Sequence, residues 1–565
     1  MNDRHSTLRR VPVVVLCGVL LAGCSLFGGD DEPTPKPSGE VLPAVAWDGV
    51  KASGVDDGGT LRLAVDALPE NFNPEHASNT GSDISRLLSP TVGSAVRVTA
   101  DGGWEVDTDY ARSVEIVDRK PLTIRVRLNP KAVWQGGTPV TADDMVAYVK
   151  AHDGSRTSFE IGSTEGFDDI ASVDPSDDGE SYRVTFERPV TDWPRYVYPG
   201  LPANVSRSPR LFNRYFTKRS ISSNGPFVVT ELDRDRGRVV MERNPRWWGR
   251  TPKLSRIVWQ AATPKVQLEA VRAGELDLVQ VPAALQRSAR EDLGDGQRYE
   301  VAAGTEWTQL TMNGARGPLR SVAVRRAIAA ALDRTALARL SSSAAGVPAS
   351  VMGSFVFVPG QRGYTDQSDA VPHGAQRAEA LLDDAGWTIE SGASVRTRKG
   401  KKLTLVMPVP ADTPTSRQRA SLIADQLGQV GIQVELQDVP DDDYFTSRVV
   451  PLDFDLATFT HTGSAFPIVD TKALFYPIDS SQNFTGVEDR ELAGAWDKGV
   501  EALDDDERRR VVRVLDERLF RDVPIVPLGI VPEVSVVGDD VVNIGASQFL
   551  APDWTVVGFR APSGD

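Results

Sequence analysis

The sequence is poor in the residues that most often carry covalent and metal chemistry. Its 565 residues include only two cysteines, Cys17 and Cys24, and C-x-x-C, H-E-x-x-H, G-x-S-x-G and P-loop motifs are all missing. The five histidines, at positions 5, 76, 152, 373 and 461, do not have the spacing of metal ligands. We therefore expect no metal, no cofactor and no enzymatic activity. A glycosidase needs only two facing carboxylates, and the 78 acidic residues leave that alternative open.

The sequence also lacks an excess of positive charge and a long apolar segment. Its net charge is -15, and no stripe of lysine and arginine interleaved with aromatics is present, which argues against a nucleic-acid partner. The apolar stretch at residues 11–21 is far shorter than the roughly 20 residues that a membrane-spanning helix needs. With 40% hydrophobic and 25% charged residues, the chain has globular composition and is long enough for two or more domains.

The N-terminus has the features of an export signal with lipid attachment. Three arginines precede the apolar stretch, which ends in the tetrapeptide LAGC at Cys24. This order resembles the bacterial lipobox, where a peptidase cuts before the cysteine and the thiol receives a diacylglyceryl group. The resemblance implies a signal peptide over 1–23 and an extracytoplasmic protein that is lipid-anchored to the cell membrane through Cys24. A plain secretory signal is the alternative.

Residues 24–58 are rich in Gly, Asp, Pro and Ser and predict a disordered tether between the membrane and the first domain. Cleavage before Cys24 would leave a single, acylated thiol, so no internal disulfide can form. Stability must then come from burial of apolar side chains.

Periodic patterns of apolar residues predict alternating strands and helices. The segment LTIRVRLNP alternates apolar and polar positions and predicts a strand over 122–128. The next helix is expected to begin after Thr141, with Asp144 as its partner in a capping box. Residues 227–242 predict a β-hairpin, and a later helical pattern ends at Gly431 and is followed by an alternating strand. These repeated changes of period predict an α/β protein with open sheets.

Seven segments, in order along about residues 59–530, resemble the extracytoplasmic solute-binding proteins of family 5, the oligopeptide, dipeptide and nickel-binding class of ABC transporters. Among them are VWQGGTPVTADDM, SNGPFVVTELDRDRGRVVMERNPRWWG, AVRAGELDLVQVP and RRAIAAALDR. The resemblance implies an α/β, two-lobe periplasmic-binding-protein-like fold of class II, with a hinge and a discontinuous first lobe. Lobe one would comprise 59–305 plus 520–565, and lobe two 306–519. A monomer would hold a peptide or small-molecule ligand between the lobes and deliver it to ABC permease subunits.

One loop departs from the pattern of this family. Its peptide-binding members usually have an aspartate there, which pairs with the α-ammonium group of the peptide. Here Gly463 takes that position, and residues 458–467 contain no acidic side chain. An ammonium group without a carboxylate would lose a bond worth roughly 1.5–3 kcal/mol. This argues against ordinary peptide binding unless Asp453, Asp455 or Asp470 substitutes.

Polar and aromatic side chains replace the missing acid, and they suit a neutral, hydroxyl-rich ligand such as a sugar head group. A solvated loop without ligand contact is the alternative. Family analogy adds three further positions, in the break after the first strand and near the first passage between the lobes. The candidate ligand contacts are therefore Phe72, Asn73, Trp307, His461, Thr462, Ser464 and Phe466.

The same departures resemble a divergent actinobacterial branch of the family that is tied to cell-envelope glycolipid synthesis. Two functions follow from the resemblance. The first is a membrane-tethered solute-binding lipoprotein of an ABC transporter that binds a peptide-like or hydroxyl-rich solute. The alternative is a regulatory or glycolipid-binding envelope lipoprotein of the same fold without a transport role.

Overall fold

The computed structural model describes residues 42–79, 82–177, 179–370, 373–487 and 489–562. The predicted signal peptide, the lipidation site at Cys24 and the first part of the tether lie outside the described residues. The end of the tether differs from the expectation of disorder, because residues 42–58 lie along the C-terminal segment of the chain. There Val45 forms a β-bridge with Ser547, and the side chain of Asn543 both accepts from and donates to the backbone of Val50.

The strands are short and are distributed over most of the chain. In chain order they are β1 Thr60–Val65, β2 Val96–Val98, β3 Trp104–Val106, β4 Ala111–Arg119, β5 Leu122–Leu128, β6 Ile170–Pro175, β7 Ser181–Phe186, β8 Phe227–Asp233, β9 Arg238–Arg243, β10 Arg256–Ala261, β11 Leu278–Gln280, β12 Gln297–Ala302, β13 Glu306–Met312, β14 Thr397–Arg398, β15 Lys401–Lys402, β16 Thr404–Pro410, β17 Gln433–Val439, β18 Leu456–Thr462, β19 Ile525–Ile530, β20 Glu533–Gly538, β21 Val541–Val542 and β22 Gly558–Phe559.

The helices are concentrated in the second half of the chain. They are α1 Ser82–Leu88, α2 Ala142–His152, α3 Ala203–Ser206, α4 Pro209–Arg214, α5 Pro264–Arg272, α6 Gln286–Glu291, α7 Val322–Ala331, α8 Arg334–Ala345, α9 Ala375–Asp384, α10 Pro414–Gln429, α11 Asp441–Asp443, α12 Pro467–Lys472, α13 Arg490–Glu501 and α14 Asp505–Asp522. Among the described residues, no helix combines the length and the apolar composition needed to span a membrane.

Local signals in the sequence account for several of these boundaries. Helix α2 begins directly after Thr141, whose N–H donates to the Asp144 carboxylate at 2.8 Å, so the predicted capping interaction is present. Strands β8 and β9 pair as the predicted antiparallel hairpin. Helix α10 is followed by Gly431, whose φ of +83° suits a residue without a side chain, and then by β17.

The sheets are small and open. Strands β4, β5, β7 and β6 form an antiparallel sheet in the order β4-β5-β7-β6, and a mixed sheet has the order β1-β10-β9-β8 with β1 parallel to β10. Two three-stranded sheets have the orders β11-β20-β12 and β18-β13-β19, while β16 and β17 form a parallel pair. Strands β12 and β13 follow each other in the chain but belong to different sheets, and the same is true of β19 and β20.

Two large hydrophobic clusters divide the core. The first is built from side chains of residues 61–278 together with 537–557, and the second from residues 307–530. We call the surrounding parts of the protein the first lobe and the second lobe. The first lobe is discontinuous in sequence, as predicted, because the C-terminal segment returns to it.

The chain passes between the lobes twice, from β12 to β13 and from β19 to β20. The return to the first lobe comes later than the expected residue 520, which lies within α14. Strand β19 still pairs with β13, and its Ile525, Val526, Leu528 and Ile530 belong to the second cluster. Hydrophobic burial thus keeps the chain in the second lobe until Ile530.

Candidate ligand-binding site between the lobes

The two passages between the lobes contact each other closely. A Cβ atom on Gly304 would lie only 1.8 Å from the backbone oxygen of Val531, so this position has no room for a side chain. The N–H of Val531 donates to the backbone oxygen of Glu306 at 2.8 Å. The two segments therefore form one joint, and each restricts the movement of the other.

Two glutamates lie at this joint, at the starts of β13 and β20. Burial and, to a smaller extent, the charge of Glu306 raise the pKa of Glu533 to about 7, against the opposing charge of Arg86. Desolvation by the surrounding protein also raises the pKa of Glu306, although solvent still reaches its side chain. Glu306 lies opposite Thr462 in the β13–β18 pair, and the Thr462 side chain hydrogen-bonds to its carboxylate. A carboxylate is therefore present beside the loop from which the sequence lacks one.

His461 and Trp307 face each other across β18 and β13. Their ring centroids are 5.3 Å apart with planes at 68°, which is an edge-to-face arrangement. Trp307 is 1% exposed and belongs to the second cluster. Burial lowers the pKa of His461 to about 4, so its imidazole is neutral at pH 7. Trp307 thus fixes the orientation of a neutral histidine.

Ser464 and Asp470 connect the loop after β18 to helix α12. The Ser464 hydroxyl donates to Oδ2 of Asp470 at 2.5 Å and accepts the N–H of Phe466 at 3.0 Å. Asp470 also pairs with Arg195 of the first lobe, with Oδ1 and Nη1 3.1 Å apart. The guanidinium carbon of Arg195 lies 6.0 Å from the centroid of the Phe466 ring. This group of residues joins the two lobes directly.

The other two proposed substitutes for the missing acid have structural partners within the second lobe. Asp453 forms ion pairs with Arg448 at 2.6 Å and Arg316 at 3.1 Å. Asp455 accepts the N–H of Val406 at 2.8 Å. Only Asp470 of the three therefore lies at a contact between the lobes.

Phe72 and Asn73 lie in the interior of the first lobe. Both are 2% exposed or less, and Phe72 belongs to the first cluster. Asn73 donates to the backbone oxygen of Phe212 at 3.2 Å and accepts the N–H of Glu75 at 3.2 Å. These contacts give both residues an architectural role, and their role as ligand contacts stays a prediction.

A cavity of about 650 Å³ lies between the lobes, a volume within the range of small-molecule sites. The first lobe contributes Gly102, Gly103, Trp104, Ile116, Thr191, Asp192 and Trp193 to its lining. The second lobe contributes Phe357, Gln361, Arg362, Gly363, Ala465, Phe466, Pro467, Ile468, Leu503, Asp504, Asp505, Asp506, Arg508 and Arg509. Of the seven candidate residues from the sequence, only Phe466 is part of this lining.

Polar contacts between the lobes surround the cavity. Arg119 of the first lobe makes two hydrogen bonds to Asp504 of the second, at 3.2 and 3.0 Å. Arg362 pairs with Asp101 at 2.9 Å. The N–H of Thr191 donates to the backbone oxygen of Val500 at 2.6 Å. The cavity is therefore bounded by side chains that meet only when the lobes are together.

Comparison with known proteins agrees with this architecture. A family model described as "Bacterial extracellular solute-binding proteins, family 5 Middle" matches residues 105–486. The chain belongs to this family.

The relatives match between three quarters and nearly the whole of this chain. The "Oligopeptide-binding protein OppA" of Mycobacterium tuberculosis is 31% identical over 555 residues, 97% of this chain and 93% of the relative. The "Probable monoacyl phosphatidylinositol tetramannoside-binding protein LpqW" of the same species is 25% identical over 463 residues, 76% of this chain and 71% of the relative. The solved structure of the "Periplasmic EDTA-binding protein EppA" has a TM-score of 0.81 at 23% identity and covers 93% of this chain and 100% of that one.

These likenesses confirm the predicted family, its actinobacterial branch and the two-lobe fold. Sequence reasoning missed Glu306, Glu533 and Asp192 as acids at the contact between the lobes. Glu306 carried a usable signal, since it directly precedes the candidate Trp307 at the first passage. Asp192 carried no comparable signal, because it precedes a one-turn 3-10 helix outside every recognised motif.

Proposed function

We propose that this protein is a lipid-anchored, extracytoplasmic solute-binding protein that takes up a peptide-like or hydroxyl-rich solute between its lobes and delivers it to an ABC permease. The observation that carries the proposal is the 650 Å³ cavity, which is lined by residues of both lobes. A site of this kind couples binding to closure, because a ligand shifts the balance between open and closed forms by its differential affinity for the two. The name of the relative OppA supports peptides as one ligand class.

At the end of β18 and in the loop after it, Thr462 and Phe466 are the strongest of the predicted ligand contacts. Phe466 lines the cavity, and Thr462 is exposed. Ser464 is engaged with Asp470, and His461 is held by Trp307. We propose that the last two residues shape the loop and that Phe466 and Thr462 meet the solute.

Native mass spectrometry of the protein purified from its own host tests the function directly. The expected result is a copurifying mass that is lost on unfolding and refolding, because a cavity bounded by both lobes retains its guest during purification. The measured mass would separate a peptide from a sugar or a lipid. Protein that carries no guest and regains none from a host extract would contradict the proposal.

Tryptophan fluorescence gives an independent titration, since Trp104 and Trp193 both line the cavity. A solute that enters the cavity should change the emission in a saturable manner. The variant Trp104→Phe should reduce the signal. The matched control Trp387→Phe should keep it, because Trp387 is buried in the second cluster and its Nε1 has no hydrogen-bond partner to lose. Equal loss of signal in both variants would place the fluorescence change outside the cavity.

The lipid anchor on Cys24 is a separate part of the proposal. Labelling of cells with an alkyne fatty acid should mark the wild-type protein, and Cys24→Ser should lose both the label and the membrane association. Cys17→Ser provides a matched control within the same apolar segment and should keep both. Labelling of the Cys24→Ser variant would contradict lipidation at this residue.

The similarity to LpqW, whose name states glycolipid binding, favours a second candidate function. In that case the protein acts on cell-envelope synthesis without a permease. Deletion of the gene for this protein distinguishes the two functions. Loss of solute uptake supports delivery to a transporter, whereas an altered envelope glycolipid profile after deletion of this protein alone supports the regulatory function.

A further inference from the structure

Asp192 lies in the wall of the cavity between the lobes and is almost completely buried. The residue is 3% exposed and forms part of the cavity lining. The N–H of Val469 from the second lobe donates a hydrogen bond to the carboxyl group, but Oδ2 has no partner. In the part of the chain that the structure describes, no other buried carboxylate oxygen lacks a hydrogen bond. Such a group is rare, since buried polar atoms are nearly always satisfied.

The other charged groups of the lining make their hydrogen bonds and ion pairs with other residues. The pairs are Arg508 with Thr191 and Asp505, Arg509 with Asp506, Arg362 with Asp101, and Asp504 with Arg119. The nearby Arg195 is likewise bonded to Asp470. Among the described residues of the lining, Oδ2 of Asp192 is therefore a buried acceptor without a hydrogen-bond partner.

An empty cavity leaves this carboxyl group protonated more readily than an ordinary aspartate. Burial raises the pKa of Asp192 well above its usual range, and the charge of Asp470 raises it further. Arg195, the Val469 N–H and Arg508 favour the ionised form, but their combined effect is smaller than that of burial. A cation that enters the cavity can take the place of this proton and restore a full charge pair.

Aromatic side chains also line this cavity. Trp193 directly follows Asp192, and its ring meets that of Trp104 edge to face at 5.1 Å. Phe357 and Phe466 line the cavity from the second lobe. Aromatic faces attract organic cations through their negative quadrupole, most strongly when water is excluded. A carboxylate beside such rings favours an organic cation over a neutral sugar.

We propose that Asp192 receives an ammonium or guanidinium group of the bound solute, so that the cavity selects organic cations. This inference rests on the proposed solute-binding function and names the ligand class of that same cavity. This carboxylate belongs to the first lobe, whereas the aspartate of the family motif lies in the loop after β18. Recognition of the ligand charge by Asp192 also ties affinity to closure, since Val469 of the second lobe helps to hold the carboxyl group.

Trialanine and N-acetyl-trialanine are suitable probes, because they differ in a single ammonium group. Isothermal titration of the full-length protein should show at least tenfold tighter binding of trialanine, in line with the worth of a charge-assisted hydrogen bond. Asp192→Asn should remove this preference while its amide oxygen still accepts the Val469 N–H. The control Asp504→Asn changes another acid of the same lining, which is exposed and paired with Arg119, and should keep the preference. A thermal midpoint within the wild-type range would show that each variant is folded.

The outcomes separate the two proposals. Equal binding of both probes by the wild-type protein, or an unchanged preference in Asp192→Asn, overturns the assignment of Asp192. A neutral solute that copurifies with the protein and occupies the cavity also overturns it, but leaves the solute-binding function standing. Absence of binding by both probes, together with absence of any copurifying solute, overturns both proposals.

Discussion

Replacement of Asp516 by asparagine should stabilise this protein at alkaline pH. Asp516 lies on α14 in the interior of the second lobe and is 1% exposed. One carboxylate oxygen accepts the N–H of Phe355 at 2.8 Å, and the other accepts from Gln367 at 3.3 Å. Burial raises the pKa of Asp516 from 3.8 to about 7, because these neutral donors compensate only part of the lost hydration.

The size of the effect follows from the shift in the pKa. A difference of about three units between the folded and unfolded states corresponds to about 4 kcal/mol. Since the folded pKa is the higher one, protonation of Asp516 supports the folded state fully below pH 3.8. This support is lost as the pH rises through about 7. The wild-type protein should therefore lose about 3 kcal/mol of this support between pH 5 and pH 8, since the remainder is already lost between pH 3.8 and pH 5.

Thermal unfolding of the wild type and Asp516→Asn at pH 5 and pH 8 measures the effect. The variant should have the higher midpoint at pH 8 and a weaker dependence on pH, because asparagine carries no charge and keeps an acceptor for Phe355. Asp489→Asn is a control with the opposite sign, since the Arg518 guanidinium and two backbone N–H groups lower the pKa of Asp489. That variant should be destabilised at pH 8, and the loss should shrink as the pH falls through the lowered pKa of Asp489. If Asp516→Asn and the wild type lost stability equally between pH 5 and pH 8, the reasoning from burial would be refuted.

Three further substitutions test the joint and the core by thermal or urea unfolding. Gly304→Ala should cost roughly 1–3 kcal/mol or more, because the new methyl group meets the backbone oxygen of Val531, and unchanged stability would show that the joint can relax. Trp496→Ala should cost about 3–5 kcal/mol, since its ring is fully buried in the second cluster, and a loss below 1 kcal/mol would contradict that packing. Arg119→Ala should cost less than about 1 kcal/mol, because its pair with Asp504 is exposed on both sides, and a larger loss would assign the pair a major part in holding the lobes together.

Elements with strong local patterns could be predicted from the sequence. The strand at 122–128, the start of α2 after Thr141 and the hairpin formed by β8 and β9 appear where the residue patterns indicated. The reason is that each depends on neighbouring residues: alternation, a cap, or a short turn. Trp247 and Trp248 also pack as expected of aromatics that fix a turn, with both rings within 6 Å of Tyr110.

Interactions between distant segments could not be predicted in the same way. Arg325 has the sequence setting of a solvated helix residue, yet it is 3% exposed and donates to the backbone oxygens of Asp522 and Leu319. Its partners lie at the end of α14 and just before α7, so the pattern within α7 does not predict the contact. The acids at the joint escape prediction for the same reason, because Glu306 and Glu533 become neighbours only after both passages have formed.

The placement of charge around the cavity shows why the loss of one motif residue does not settle the ligand class. A ligand responds to the position of a carboxylate in space, and the segment that supplies it does not matter. Residues 458–467 contain no acid, but Asp192 from the first lobe and Glu306 from β13 both present carboxyl groups near the contact between the lobes. The absence of the motif acid therefore does not exclude recognition of a cation between the lobes.

The contacts between the lobes also bear on how a ligand controls closure. The ion pairs Arg195–Asp470, Arg119–Asp504 and Arg362–Asp101 all retain solvent-exposed side chains, with 27–59% of each side chain accessible. Pairs of this kind contribute roughly 0–1 kcal/mol each, so together they hold the lobes only weakly. A charge pair formed at a buried carboxyl group of the cavity wall is worth more than any one of these exposed pairs. Binding of the solute therefore stabilises the closed form more than any of these ion pairs does. A permease must distinguish this closed form from the empty protein.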